Sequence, residues 1–238
     1  MSEAFRRVKV FVFDFDGTLV NSYSPVREVW RRIGEFIGFR GEAFDRFVKT
    51  GLEVERKYEI MGMYDRRLWI RDVLRRFNIR TREVMIEDLV KKYWSERIRL
   101  TIVRNCVRDL LDYLRRHGFG LVSLSGNDGV FGLKKRRIWS SGLGSYFDNI
   151  YVSGEDVPDK IEGLKRVSVS YGANFDEVCF VDDMPRVVNE AFRLGFVSVR
   201  VEPGEYWLDI WQGSVIKGVY VFRDICEFYE FLRSVYGD

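Results

Sequence analysis

The chain has 238 residues, of which 46% are hydrophobic and 32% are charged, and its formal net charge is +3 at pH 7. This length and composition are typical of a globular protein with one large domain, or with one domain that carries a sizeable insertion. The near balance of charge gives no argument for binding to nucleic acid or to a membrane surface. His117 is the only histidine, which excludes sites that need several histidines.

The cysteines and the apolar segments exclude further classes of protein. Cys106, Cys179 and Cys226 are odd in number and widely spaced, so we expect neither a disulfide framework nor a zinc site. The N-terminal region has no apolar stretch typical of a signal peptide, and no segment is long enough to span a membrane. We therefore expect a cytoplasmic protein without membrane contact.

The first predicted element is a short apolar strand that ends in acids. Residues 8–13 are almost entirely apolar, and Asp14 and Asp16 follow them. Side chains two residues apart on a strand point to the same side. We therefore expect the two carboxylates to lie side by side.

The next segment, between Val20 and about Arg104, contains no convincing strand. Apolar residues recur at helical spacing in four stretches, which predicts an all-helical insertion after the first strand. We assign it to residues 21–104. The four stretches are 26–37, 44–58, 68–77 and 84–98.

Two later apolar runs also end in polar residues. The run at 119–124 is followed by Ser125 and Gly126, and the run at 178–181 is followed by Asp182-Asp183. Runs that are apolar on both faces and separated by helical patterns indicate parallel strands covered by helices.

Further apolar runs at 196–201 and 219–222 predict a sheet of five strands. The predicted fold class is α/β, with a Rossmann-like parallel sheet, helices on both faces and an inserted all-helical cap at 21–104. The Rossmann-like core takes residues 1–20 and 105–238. In such open sheets the ligand lies outside the carboxyl ends of the strands, where the acids and the serine converge.

Clustered carboxylates at one sheet edge repel each other. Two of them about 6 Å apart, at an effective dielectric near 20, repel by about 3 kcal/mol, so protons or a cation must offset their charge. Oxygen ligands without histidine or cysteine favour a hard ion, and Mg²⁺ is the ion we expect. Such a site suits a phosphate ester, whose oxygens Ser125 and Lys160 could bind.

Four short motifs carry a resemblance to a known family. The sequence DFDGT at 14–18 resembles the first motif of the haloacid dehalogenase superfamily of phosphotransferases. Ser125-Gly126, at a predicted strand end, is similar to the second motif, Lys160 to the third and Asp182-Asp183 to the fourth. The order of the motifs and the place of the helical insertion are also similar, so the resemblance covers essentially the whole chain.

The resemblance implies a role for each motif residue. Asp14 would be the nucleophile that forms an aspartyl-phosphate. Asp16 would protonate the leaving oxygen and then activate water. Ser125, the backbone near Gly126, and Lys160 would bind the phosphate.

The resemblance also implies the ligands of Mg²⁺. These would be a carboxylate oxygen of Asp14, the backbone carbonyl of Asp16, and Asp183. Asp182 would not bind the ion directly but would lie next to the direct ligands, because glycine is commoner at that position in the family.

The function implied is a Mg²⁺-dependent phosphatase, a phosphoric monoester hydrolase, acting on a small phosphorylated metabolite chosen by the cap. A phosphomutase of the same superfamily is the nearest alternative, since it shares the aspartyl-phosphate. A non-catalytic binding or regulatory member is the alternative from another class. Dehalogenation is disfavoured, because it needs neither Mg²⁺ nor an acid at Asp16. The sequence identifies neither the substrate nor the oligomeric state.

Three remaining features have ordinary structural interpretations. The run at 134–137, KKRR, covers all sides of a helix and is interpreted as a solvated face rather than a nucleic-acid site. Trp207 and Trp211 could line the substrate entrance or pack under a long loop. Four residues of the insertion could contact the substrate, but we expect each of them on a helix surface: Arg56, Lys57, Tyr64 and Arg66.

Overall fold

A computed structural model describes residues 2–80, 82–204 and 213–237. The chain forms two compact units, which we call the sheet unit and the helical unit. The sheet unit comprises Met1–Asn21, Ile102–Asn127 and Phe131–Asp238, and the helical unit comprises Ser22–Thr101 and Asp128–Val130. Trp207 and Trp211 lie outside the described residues.

The strands of the described residues all belong to the sheet unit. In chain order they are β1 (Val10–Phe13), β2 (Val20–Asn21), β3 (Ile102–Val103), β4 (Gly120–Gly126), β5 (Asn149–Ser153), β6 (Val178–Asp182), β7 (Val197–Val201) and β8 (Tyr220–Phe222).

The helices divide between the two units, with α2 to α5 in the helical unit. In chain order they are α1 (Ser2–Phe5), α2 (Val26–Ile37), α3 (Gly41–Ile60), α4 (Arg66–Arg76), α5 (Glu83–Leu100), α6 (Val107–Arg116), α7 (Leu133–Ser140), α8 (Lys160–Tyr171), α9 (Pro185–Arg193) and α10 (Ile225–Tyr236). Short 3₁₀ turns occupy Gly144–Tyr146 and Phe175–Glu177.

Six strands form one parallel sheet in the order β5-β4-β1-β6-β7-β8, and β2 pairs with β3 in a separate antiparallel ribbon. The predicted fold class, a Rossmann-like parallel sheet flanked by helices, is confirmed. The expected count of five strands was one too few. The additional strand is β5, an edge strand whose apolar run is short, since only Ile150 to Val152 lie between Asn149 and Ser153.

The central strand β1 is buried on both faces. Phe11 and Phe13 belong to one hydrophobic cluster, which also contains residues of α6 and α10. Val10 and Val12 belong to a second cluster, which contains residues of α8 and α9. Because successive side chains of a strand point to opposite faces, β1 fixes the sheet between two helical layers and holds its own carboxyl end rigidly.

The helical unit has a charged residue in its core. Glu55 accepts hydrogen bonds from the indole of Trp30 at 2.8 Å, the hydroxyl of Tyr93 at 2.8 Å and the guanidinium of Arg97 at 2.7 Å. All four side chains are buried. A buried ion pair is tolerated only when its polar atoms are satisfied, and these bonds join α2, α3 and α5.

Arg66 does not lie on the helix surface as expected, because its side chain is buried in the helical unit. The guanidinium carbon lies 3.6 Å from the ring centroid of Trp69 and 4.7 Å from that of Trp94. Glu59 lies 3.4 Å away from the guanidinium. A planar, weakly hydrated guanidinium can stack on aromatic faces, which explains how a charge can be buried here.

The helices of the described residues include no candidate membrane span. None of them combines the length and the apolar character that crossing a membrane requires.

The structure corrects the expectation about cysteines. Cys106 and Cys226 form a disulfide, with their Cα atoms 5.2 Å apart across 120 residues of sequence, while Cys179 is free and buried. Cys106 immediately precedes α6, and Cys226 lies in the first turn of α10. Sequence spacing did not indicate this pair, because the two helices meet only in the folded core.

The disulfide should stabilise the fold. Reducing it, or making Cys226→Ser, is expected to lower the free energy of unfolding by about 2–4 kcal/mol, because the crosslink restricts the unfolded chain. Urea unfolding with and without reductant measures the effect. A Cys106→Ser/Cys226→Ser variant is the control and should not respond to reductant. Alkylation of all three cysteines without prior reduction would contradict the disulfide.

Candidate active site

Asp14 directly follows β1 and is buried at the carboxyl edge of the sheet. Its backbone N–H donates to the carbonyl of Val181 at 2.9 Å, which extends the pairing of β1 with β6 by one residue. Its Oδ1 accepts a hydrogen bond from Lys160 at 2.8 Å. The side chain is therefore positioned by both the sheet and a charged partner.

Lys160 is the first residue of α8, and Asp159 caps this helix by accepting from the backbone N–H of Glu162 at 2.8 Å. The Lys160 ammonium donates to Asp14 and, at 2.6 Å, to Oδ2 of Asp182. Burial favours the neutral amine, but the two carboxylates outweigh it and raise the pKa of Lys160. The bridging cation therefore remains charged.

The two acids at the end of β6 have different environments. Both carboxylate oxygens of Asp182 accept hydrogen bonds, Oδ1 from the backbone N–H of Met184 at 2.8 Å and Oδ2 from Lys160. Oδ2 of Asp183 is buried and has no hydrogen-bond partner. Such an oxygen costs free energy unless a ligand or a proton satisfies it.

Carboxylate oxygens of Asp14, Asp182 and Asp183 all lie within 4.8 Å of one another. Burial raises the pKa of Asp14 to about 6, with Lys160 opposing and Asp182 adding to the shift. Burial, Asp182 and Asp14 together raise the pKa of Asp183 well above its usual range. When all three carboxylates are ionised, their charge exceeds what Lys160 can offset, and an all-oxygen set with one unsatisfied buried oxygen fits a hard divalent cation.

The Asp16 carboxylate has partners different from those of Asp14. The strand ends at Phe13, and the chain then turns at Gly17, whose φ of +85° is a left-handed conformation that suits glycine. The Asp16 carboxylate is not part of the three-carboxylate group. It accepts instead from Arg137, at 2.5 and 3.0 Å, and from Lys134.

The run KKRR is not a uniformly solvated face, so that interpretation was wrong for two of its four residues. Lys134 and Arg137 are three apart on α7, share one face of the helix and are buried against Asp16. Lys135 pairs with Asp156 at 2.6 Å, and Arg136 is exposed. The spacing of three residues was the available signal for an inward-facing pair.

Ser125 and Gly126 end β4. The register pairs Phe13 with Ser123, so Ser125 extends two residues further toward the same edge that bears Asp14. The hydroxyl of Ser125 is buried without a hydrogen-bond partner. A side chain at Gly126 would meet nothing within 4 Å, so open space adjoins this strand end.

Arg200 is a buried charged residue near the site, and it was not predicted from the sequence. It lies on β7 in register with Asp182, and its Nε donates to the backbone carbonyl of Asp183 at 3.3 Å. The only signal was a charge within the otherwise strand-like sequence VSVRV. Arg200 supports the backbone that carries the two acids.

The sequence profile of the haloacid dehalogenase-like hydrolases matches residues 8–187, which include all four motifs. This chain belongs to that family. No curated protein sequence matches the chain significantly.

Several solved structures share the fold of this hydrolase over nearly its whole length. A predicted phosphoglycolate phosphatase from Haemophilus somnus 129pt is 15% identical, covers 95% of this chain and 98% of its own, and has a TM-score of 0.66. The L-2-haloacid dehalogenase of Xanthobacter autotrophicus is 18% identical, with coverages of 95% and 98% and a TM-score of 0.63. The putative HAD-hydrolase YfnB from Bacillus subtilis, bound to magnesium, is 18% identical, with coverages of 95% and 99% and a TM-score of 0.69. Similarity at these identities shows the fold alone.

The crowded carboxylates should cost stability when no cation is bound. In chelator-treated protein at neutral pH, Asp183→Asn is expected to raise the free energy of unfolding by about 1 kcal/mol or more. The reason is that a carboxyl whose pKa is raised on folding destabilises the fold above its unfolded pKa. Added Mg²⁺ should then stabilise the wild type more than the variant, as measured by urea unfolding.

Asp182→Asn is the matched comparison. It is expected to lower the free energy of unfolding, because it removes one of the two carboxylates that hold the Lys160 ammonium. Equal destabilisation by Asp183→Asn and Asp182→Asn would contradict the different environments described for the two acids.

Proposed function

We propose that this hydrolase is a Mg²⁺-dependent phosphatase that hydrolyses a small phosphorylated metabolite through an aspartyl-phosphate on Asp14. The observation that carries the proposal is the arrangement around Lys160, which bonds to Asp14 and Asp182 while the neighbouring Asp183 has an unsatisfied buried oxygen. A nucleophilic carboxylate, a fixed cation and a place for a divalent ion are what attack on a phosphate ester requires.

Asp14 is the nucleophile in this proposal. Lys160 holds its Oδ1 at 2.8 Å and offsets negative charge as the phosphate approaches. The hydroxyl of Ser125, which no protein group satisfies, would donate to a phosphoryl oxygen together with the backbone near Gly126. These contacts orient the phosphorus for attack.

Mg²⁺ would be held by Asp14, Asp183 and the backbone carbonyl of Asp16, and it would supply positive charge to the phosphoryl oxygens. Asp182 would not be a direct ligand, since both of its oxygens already accept hydrogen bonds. A structural relative bound to magnesium supports this choice of ion.

Asp16 would act as acid and then as base. In the first step the Asp14 carboxylate bonds to phosphorus, the ester bond breaks, and Asp16 gives its proton to the leaving oxygen. In the second step water attacks phosphorus, Asp16 takes its proton, and the bond to Asp14 breaks to release inorganic phosphate.

The helical unit has no part in these bond changes. We propose that it selects the substrate, as implied for the cap predicted at 21–104. An acceptor alcohol in place of water would make the enzyme a phosphomutase, and product analysis distinguishes the two outcomes.

Phosphate release is the direct test of the function. The purified protein is expected to release phosphate from p-nitrophenyl phosphate with Mg²⁺ and to lose this activity in excess chelator. Ca²⁺ should substitute poorly, because it is larger and less strictly coordinated. The assay should include 2-chloropropionate, with chloride release as the readout. Chloride release without phosphatase activity would favour a dehalogenase, and full phosphate release in chelator would refute the metal assignment.

The nucleophile can be identified by trapping. Asp14→Asn keeps the shape of the side chain but removes the attacking carboxylate, so activity should fall to background with no labile phosphoryl-enzyme. Brief exposure of the wild type to substrate, acid quenching and peptide mapping should place the phosphate on Asp14. Asp109→Asn, on an exposed face of α6, is the matched control and should retain activity. Phosphate mapped to Ser125 or Asp16 would contradict the mechanism.

A further inference from the structure

Two cations contact the carboxylate assigned as acid and base. Arg137 approaches Asp16 with both terminal nitrogens, at 2.5 Å to Oδ1 and 3.0 Å to Oδ2, and Lys134 donates to Oδ2 as well. The three side chains are buried, with exposures of 8% for Asp16, 5% for Lys134 and 4% for Arg137. Both oxygens of Asp16 are therefore fixed in direction.

The geometry of the Arg137 contact is a two-point fork, which sets the plane of the carboxylate as well as its position. The same guanidinium carbon lies 5.6 Å from the ring centroid of Phe15, the buried residue between the two catalytic aspartates. Helix α7 thus anchors Asp16 separately from Asp14, whose partner is Lys160 on α8.

We propose that Lys134 and Arg137 are positioning residues that fix the direction of the Asp16 carboxylate for both of its proton transfers, to the leaving oxygen and from the attacking water. This inference rests on the proposed phosphatase function. The fork of Arg137 and the contact of Lys134 with Oδ2 fix both carboxylate oxygens, so that a proton can pass between Asp16 and the oxygen that faces it.

Arg137 should therefore affect catalysis only because it orients Asp16. Arg137→Met is expected to lower kcat about tenfold or more for an alkyl phosphate, with KM changed by less than about twofold. The loss should be smaller for p-nitrophenyl phosphate, whose leaving group departs without a proton. The phosphoryl-enzyme should persist longer, because its hydrolysis needs an oriented base.

A double-mutant cycle separates positioning from a general structural effect. In an Asp16→Asn background, Arg137→Met should lower kcat by less than about twofold, because the group it orients is already lost. Arg137→Lys keeps the charge but not the fork, so it should give a smaller loss with the same dependence on the leaving group. Arg136→Ala is the matched control on the same helix, since Arg136 is exposed, and it should behave as the wild type.

The outcomes are distinct for the inference and for the proposed function. A wild-type protein that releases no phosphate from any ester would remove the proposed function and this inference with it. If the wild type is active, either of two results would overturn the inference while leaving the proposed function standing. In one case Arg137→Met and Arg137→Lys behave as Arg136→Ala. In the other they slow both esters equally and remain additive with Asp16→Asn.

Discussion

Lys160 bridges Asp14 and Asp182 at 2.8 and 2.6 Å, and the rest of the candidate site depends on this contact. Three carboxylates meet at the carboxyl edge of a sheet whose central strands are buried on both faces. Without an internal cation their repulsion in this low-dielectric environment would oppose folding. Lys160 offsets part of the charge, and the remaining excess leaves Asp183 in need of a proton or a divalent ion.

The site therefore contains two separate ionic groups rather than one acidic patch. The first joins Asp14 to Lys160 on α8, and the second joins Asp16 to Lys134 and Arg137 on α7. Because each aspartate accepts hydrogen bonds from cations on a different helix, their orientations can differ although only one residue separates them in the sequence. This separation suits a mechanism in which one carboxylate attacks phosphorus and the other carries protons.

Much of the fold and part of the candidate site could be predicted from the sequence, because those features depend on local pattern. Continuous apolar runs identify the central strands, and parallel pairing then brings the residues at their carboxyl ends to one edge. Asp14, Ser125 and Asp182-Asp183 end or follow such strands, and the structure brings them to that edge, with Lys160 bonded to two of the acids. The order of the motifs along the chain also sufficed to predict the family.

Only the tertiary structure decided which charged residues are buried and which partners they have. KKRR and Arg66 look like surface charge in the sequence, because a single position does not reveal an aspartate or an indole that lies opposite it in space. The pairing of Cys106 with Cys226 across 120 residues could not be predicted for the same reason, because the two residues meet only in the folded chain. Periodicity reports which face of an element is apolar, whereas ion pairs, stacked guanidinium groups and disulfides depend on contacts between distant segments, which form only when the core packs.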